Sequence, residues 1–302
     1  MTREGLVLSG VGGRYHLMCA GEVVVASLPG RVKDRSALKV LVGDRVTVGF
    51  QEDGGAVIEG VLPRRSLLQR RSPGRGRGVR AVAANLDQVV AVGAVQRPDW
   101  DSFLMDRFLV VAEANQLPAL IVANKADLVG DASVLLEPYR RAGYRTLTTS
   151  TVNGQGVEEL RDQLKGHVSL FTGPTGAGKS SLLNAVQPGL RLRTGEVSRK
   201  AGAGRHTTVS AEMHPLAGGG FLVDTPGLRD IGLWGVAPEE VAAAFPEFRA
   251  YAGKCRFDNC RHVEEPKCAV IAAADQGEIA MVRLESYRRL LGEAHDAARP
   301  WK

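Results

Sequence analysis

The 302-residue chain has no apolar run of about 18 residues, the length a helix needs to cross a bilayer. Its first residues, MTREGLVLSG, lack the basic head, apolar middle and small-residue cleavage site of a secretory signal. No membrane span, no membrane partner and a cytoplasmic location are therefore expected. Cysteine is scarce: Cys19 stands alone in a β-like segment and reads as a small core residue. The other three, Cys255, Cys260 and Cys268, fall within 14 residues. In a chain expected to stay in a reducing compartment, that clustering argues for a metal and against disulfides.

Acid is missing where base is richest. Residues 63–80, PRRSLLQRRSPGRGRGVR, carry seven arginines and no Asp or Glu. Residues 1–80 hold 14 Lys/Arg against 7 Asp/Glu, whereas the rest of the chain holds 25 against 26. The net charge of +6 thus lies in the first quarter of the chain. Such asymmetry points to an anionic partner for that end. Gly and Pro break any helix in the second half of 63–80, which reads as a flexible cationic connector.

A composition of 44% hydrophobic and 24% charged residues describes an ordinary globular chain, long enough for two or three domains. Residues 1–62 read as short strands (GLVLSGVGGRYHLMCA, EVVVASLP, DRVTVGF, GGAVIEGVL) punctuated by Gly, Asp and Pro. An OB-like barrel fits that length and charge, and the pattern alone fits an SH3-like barrel too. From about residue 81 strands alternate with helical stripes, the signature of a parallel α/β sheet. Past about residue 235 the chain reads as helical. Its last helix is expected over 275–295, burying Ile279, Val282, Tyr287, Leu290 and Leu291, with Arg283, Arg288 and Arg289 outside or beside that face.

GPTGAGKSS, residues 173–181, matches the phosphate-loop pattern between the strand VSLFT and the helix KSSLLNAV. Gly173, Gly176 and Gly178, with Ala177, let the backbone curl so that N–H groups face phosphates. Lys179 reaches the β- and γ-phosphates, the Ser180 hydroxyl ligates Mg²⁺, and Ser181 continues the helix start. FLVDTPG supplies Asp224, which can orient a water on Mg²⁺, and Gly227, whose N–H can contact the γ-phosphate. The polar, Gly-rich stretch 193–210 between them has the length of a nucleotide-sensing switch, in which Thr207 or Thr208 can place a hydroxyl on Mg²⁺.

VANKADL, residues 122–128, has the spacing of a guanine reader at the end of a strand. Asp127 can accept hydrogen bonds from guanine N1–H and its amine, an edge adenine lacks. Asn124 can reach the base edge, and Lys125 can pack over the ring and tie to the phosphate loop. TTSTVNGQG, ending the next strand, resembles the loop that backs the base around Ser150. In an ordinary GTPase the phosphate loop comes first and the base reader near the end; here the order is reversed. Joining the old ends and cutting new ones builds the same sheet, which surface termini allow. Residues 81–234 thus read as a circularly permuted GTPase domain.

CRFDNCRHVEEPKC offers Cys255, Cys260, His262 and Cys268, three thiolates and an imidazole suited to a closed tetrahedral Zn²⁺ site. The spacing is not the common zinc-finger spacing, and buried thiols without metal are the plainer alternative. A β-barrel, a permuted GTPase domain and a Cys/His domain together resemble the ribosome small subunit-dependent GTPase A (RsgA) family along nearly the whole chain. The resemblance implies an OB barrel at 1–68, a basic linker at 69–80, the GTPase domain at 81–234 and a helical zinc domain at 235–302. It implies GTP/GDP, Mg²⁺ and one structural Zn²⁺ as ligands, and a monomer that binds the 30S subunit and its 16S rRNA. GTP hydrolysis late in small-subunit maturation, stimulated by the 30S subunit, is the implied activity.

Resemblance to bacterial GTPases favours Thr208 over Thr207. Leu228 stands where Ras-like enzymes carry a water-positioning glutamine, so Lys179, Thr208 and His206 form the expected catalytic set. The family supports His206, which a reading from the residues alone weighs equally as a solvated loop residue. A P-loop ATPase or kinase has no use for Asp127. A nucleic-acid-binding module with a non-catalytic nucleotide switch is separated by phosphate release.

Overall fold

The structure, a computed structural model, describes residues 2–29, 39–52, 54–71, 79–190, 211–224 and 236–298. Five N-terminal strands are β1 (Thr2–Val11), β2 (Arg14–Cys19), β3 (Glu22–Ser27), β4 (Arg45–Phe50) and β5 (Ala56–Val61), followed by β6 (Leu67–Arg71) and β7 (Val79–Ala84). Then strand and helix alternate: β8 (Gln88–Ala94), α1 (Ser102–Ala114), β9 (Ala119–Asn124), α2 (Ser133–Arg141), β10 (Arg145–Thr149), α3 (Val157–Leu164), β11 (Val168–Thr172) and α4 (Lys179–Val186). Last come β12 (Glu212–Pro215), β13 (Phe221–Asp224) and three helices, α5 (Pro238–Val241), α6 (Ala269–Asp275) and α7 (Met281–Ala298). None of the described helices is long and apolar enough to cross a membrane.

The chain divides into two compact units. The first comprises Met1–Gln88, Leu164–Phe171 and Arg199–Leu228. Its first five strands close a barrel in the order β1-β2-β3-β5-β4, with β3 and β5 parallel and the other neighbours antiparallel. A five-stranded barrel in this order is OB-like. Period-two alternation drives it: Val46, Val48, Leu17 and Ile58 point inward and are wholly buried, and Cys19 joins them as a small core residue. The barrel is tied to β7, where the Ala84 N–H donates to the Val42 carbonyl at 2.9 Å and the Asn85 amide donates to the Gly43 carbonyl at 2.8 Å. In the same unit, β13 pairs in parallel with β11 and antiparallel with β12.

Within 63–80, expected to be a flexible connector, residues 67–71 and 79–80 are strand, and 72–78 lie outside the described residues. β6 and β7 pair antiparallel, with Arg70 opposite Arg80 and Arg71 opposite Val79. Strand propensity in LLQRR and VRAVAA wins over the arginine content.

The second unit comprises Val89–Gln163, Thr172–Ser198 and Arg229–Lys302. Here β9 lies between β8 and β10, all parallel. Every residue of β8 and β9 is buried, as expected for strands covered on both faces. The C-terminal helices share a core of Val241, Phe245, Phe248, Val270, Leu284, Tyr287 and Leu290 that reaches Val110 on α1.

Here too the structure corrects an expectation. The last helix, expected over 275–295, is α7 at Met281–Ala298; a turn with Gly277 at φ +74° separates it from α6, which ends at Asp275. Arg283 is not outside the buried face; it is 1% exposed, Leu284 beside it is wholly buried, and Val282 is only half-buried. The guanidinium is drawn inward by two carboxylates, Asp106 on α1 and Glu247, which satisfy its charge.

Candidate nucleotide site and Cys3His cluster

β11 runs directly into the phosphate loop, and α4 starts at Lys179. Two glycines there have no substitute. Gly173 has φ +140°, and a Cβ on it would lie 2.0 Å from the Val92 carbonyl oxygen. Gly178 has φ +85°, and a Cβ there would lie 2.5 Å from the Asn124 amide nitrogen. Ala177 is wholly buried, whereas Gly176 and Ser181 are exposed and Ser180 is half-buried at the first turn of α4. The Lys179 ammonium donates to the carbonyls of Gly173 (2.6 Å) and Pro174 (2.8 Å), so it curls over the loop it follows. A curled loop, a lysine and the N-terminal N–H groups of a helix make a cradle for phosphates.

The base reader sits at the end of β9. Asn124 is 1% exposed, and both ends of its amide are engaged inside the protein. Its Nδ2 donates to the Ala177 carbonyl at 2.9 Å, and its Oδ1 accepts from the Thr149 hydroxyl at 3.0 Å. Asn124 therefore joins the phosphate loop to the end of β10 instead of presenting a free edge. Lys125 adopts the left-handed conformation (φ +63°), with its stem beside Gly178 and its ammonium donating to the Arg97 carbonyl. Asp127, in the 3-10 turn Ala126–Leu128, is exposed, and the buried Ser150 hydroxyl donates to its Oδ1 at 2.5 Å. Ser150 is held in turn by the Val152 N–H at 3.2 Å and by its own N–H on the Gln155 carbonyl. The carboxylate is thus oriented with one oxygen tied and the other open.

Asp224 ends β13 opposite Glu212. His206, Thr207, Thr208, Gly227 and Leu228 lie outside the described residues.

Cys255, Cys260, His262 and Cys268 bring their four ligand atoms within 4.8 Å of one another. His262 Nδ1 lies 3.6 Å from the sulfurs of Cys255 and Cys260 and 3.2 Å from that of Cys268, and the Cys255 and Cys268 sulfurs are 3.8 Å apart. A tetrahedron built on Zn–S bonds of about 2.3 Å has edges of about 3.8 Å, so the set fits a closed zinc site. Burial holds the His262 imidazole below its ordinary range, in the neutral form that ligates metal. Burial, with Cys268 and Cys255 beside it, pushes the Cys260 thiol up to about 12, so grouped thiolates here call for a cation. The Ala269 N–H donates to the Cys255 sulfur at 3.4 Å, an outer contact of the kind that orients a ligand.

Reading the sequence missed Glu265. Burial opposes its charge, yet the backbone N–H groups of Arg261 (2.9 Å), Val263 (2.8 Å) and Glu264 (3.2 Å) donate to its carboxylate and hold it down at about 2. It organises the turn between His262 and Cys268. The only sequence signal is an acid inside a tight loop whose N–H groups need an acceptor.

Comparison with known proteins agrees with this geometry. Residues 61–234 match the family model described as RsgA GTPase. The chain is 48% identical over 299 residues to the small ribosomal subunit biogenesis GTPase RsgA of Gemmatimonas aurantiaca, covering 97% of each. It is 44% identical over 291 residues to the protein of the same name from Moorella thermoacetica, covering 96% of this chain and 97% of that one. Among solved structures, YjeQ from Thermotoga maritima superposes with a TM-score of 0.79 at 36% identity, over 99% of this chain and 100% of that one. YloQ, described as a circularly permuted GTPase, gives 0.76 at 28% identity, over 100% and 98%.

Proposed function

Because this chain belongs to the RsgA GTPase family, we propose that it hydrolyses GTP in the maturation of the small ribosomal subunit, docking on the 30S particle through 16S rRNA. The observation that carries this reading is the bond from Asn124 to Ala177. It closes the base reader onto the phosphate loop although the two occur in inverted order along the chain. Asp127, oriented by Ser150, makes the site one for guanine, and an ATP or kinase site has no use for that carboxylate.

Each residue then has a task. Asp127 pairs with the guanine N1–H and amine, and Lys125 covers the ring. Asn124 acts by holding the two loops in register. The N–H groups of Gly173, Gly176, Ala177, Gly178 and Lys179, with Ser181 at the helix start, surround the phosphates. Lys179 neutralises charge growing on the transferred phosphoryl group. Ser180 and Thr208, hard hydroxyl donors, would hold Mg²⁺, and Asp224 would orient one of its waters. When bound, Mg²⁺ supplies charge neutralisation between the β- and γ-phosphates. His206 places the water that attacks the γ-phosphorus in line, and GDP and phosphate leave. Gly227 senses the γ-phosphate, and the chain beyond it leads within a few residues to the C-terminal helices. Loss of phosphate then changes the footing of the particle-bound protein and releases it. The Cys3His cluster holds one structural Zn²⁺. The protein acts as a monomer in the cytoplasm.

Phosphate release with 30S, 50S and 70S particles tests the reading. Stimulation by 30S alone supports it. Equal rates with all three, or with none added, refute the partner.

A further inference from the structure

Between β8 and α1 the chain crosses the nucleotide site at residues 95–101, VQRPDWD, a stretch with none of the recognised GTPase signatures. Its Arg97 carbonyl accepts the Lys125 ammonium. Arg97 and Lys125 are both non-glycine residues in the left-handed region, at φ +54° and +63°. Two such residues facing each other across one charged hydrogen bond are strained, and strain of this kind persists only where the surrounding structure imposes it. The next residue, Pro98, abuts the phosphate loop: a Cβ on Gly176 would lie 3.2 Å from Pro98 Cδ.

Trp100 supplies the anchor. Its ring fills the space over Gly93 in β8, where a Cβ would lie 2.6 Å from Trp100 Cζ3. Trp100 lines one small gap together with Gly93, Pro174 of the phosphate loop, and Leu104 and Met105 of α1. Its edge meets Tyr139 of α2 at 6.0 Å and 67°. Directly after it, Asp101 caps α1 by accepting the Leu104 N–H at 3.0 Å. The segment is therefore pinned at its C-terminal end by an indole and a helix cap. At its N-terminal end the Val95 N–H donates to the Asn124 carbonyl at 2.9 Å.

We propose that residues 97–100 form a further loop of the guanine-nucleotide site and that Trp100 is its positioning residue. The inference rests on the GTPase reading above and adds a part to it. Trp100 acts through the Arg97 carbonyl, which stops the Lys125 ammonium from swinging off the base, and through Pro98, which backs the phosphate loop. A lysine held at its tip offers its straight stem to the ring with its freedom already lost, so bound nucleotide leaves slowly. Loosening the anchor shortens residence and raises KM for GTP, while Lys179 keeps its own contacts to Gly173 and Pro174 and kcat changes less.

The experiment loads mant-GDP on the full-length protein and chases it with excess GDP, for the unaltered chain and for Trp100→Leu, Trp100→Phe and Pro98→Gly. Release from Trp100→Leu is expected to be about tenfold faster, the scale of removing one charge-assisted hydrogen bond. Trp100→Phe, which keeps an aromatic ring over Gly93, restores most of the residence time. Pro98→Gly alters an exposed loop position and so tests the idea even if Trp100→Leu fails to fold; it should release about threefold faster. Rates within about twofold of the unaltered protein in the folded variants overturn the inference. If the unaltered protein binds mant-GDP no better than mant-ADP, the fault lies with the guanine-site reading itself.

Discussion

Arg283 on α7 forms an ion pair with Asp106 on α1, and the two side chains are 1% and 0% exposed. Glu247 completes the group through two bonds to the same guanidinium, at 2.7 and 3.1 Å. The rings of Phe245, Tyr139 and Tyr144 surround it at 4.6, 5.5 and 5.6 Å. The C-terminal helices are thus joined to the helices flanking the base reader by a charge kept out of water. Burial outweighs Arg283 and holds Asp106 above the usual carboxylate range, the sign of a desolvation cost that the pair only partly offsets.

Arg283→Met should therefore lower stability by about 3–5 kcal/mol, because it leaves Asp106 and Glu247 buried without their countercharge. Adding Asp106→Leu and Glu247→Leu should recover much of that loss, since an apolar replacement of a whole buried group is often neutral or better. Thermal unfolding of the single and the triple variant decides it. A single variant as stable as the unaltered chain would mean the pair contributes nothing.

Asp127→Asn should cost at least about a hundredfold in GTP affinity and move preference toward xanthosine nucleotides, whose edge matches an amide. Competition against mant-GDP measures this. If ATP competes as well as GTP against the unaltered protein, Asp127 is not reading a base.

Lys179→Ala and Ser180→Ala should abolish hydrolysis while far-UV dichroism and metal content stay unchanged, because the proposed roles of both side chains are toward phosphate and Mg²⁺ and neither is buried in a core. Normal turnover in either variant moves the active site elsewhere.

One Zn²⁺ per chain is expected by elemental analysis, and a chelator should unfold residues around 246–275 locally, as seen by hydrogen exchange. Glu265→Gln should hasten zinc loss by weakening three hydrogen bonds from the backbone. The sign of its pH dependence follows from its depressed folded value. Its stabilising contribution is full above the ordinary carboxylate value of 4.5 and fades as pH falls toward about 2. A zinc-free protein purified without chelator contradicts the metal assignment.

Neutralising Arg70, Arg71, Arg75 and Arg77 should abolish stimulation by 30S particles, make the salt dependence of binding shallower, and leave basal hydrolysis in place. Substitution is a cleaner test than deleting the barrel. Removing the barrel would also cut the bonds from Ala84 to Val42 and from Asn85 to Gly43 at the end of β7. Full stimulation after neutralisation assigns docking to another surface.

The parts legible in the sequence were those whose determinants are local. VSLFT and KSSLLNAV are the observed β11 and α4, because a buried strand, a glycine turn and a helix stripe each declare themselves within ten residues. The four ligands of the Cys3His cluster were legible for the same reason. Arg283 was not, because its partners lie 177 and 36 residues away and a charged side chain on a helix normally marks the solvent face. The contribution of 97–100 was hidden because it acts through a carbonyl and a ring edge, neither of which leaves a residue pattern. Asn124 was legible as a site residue but not in its task, which depends on Ala177, 53 positions later.

That separation also fixes an order of events during synthesis. The strand carrying Asn124 leaves the ribosome first, and its amide has no acceptor in the phosphate loop until residue 177 has followed. A nascent chain therefore holds a half-made guanine pocket that cannot grip phosphate. Nucleotide capture becomes a report that the central domain has closed.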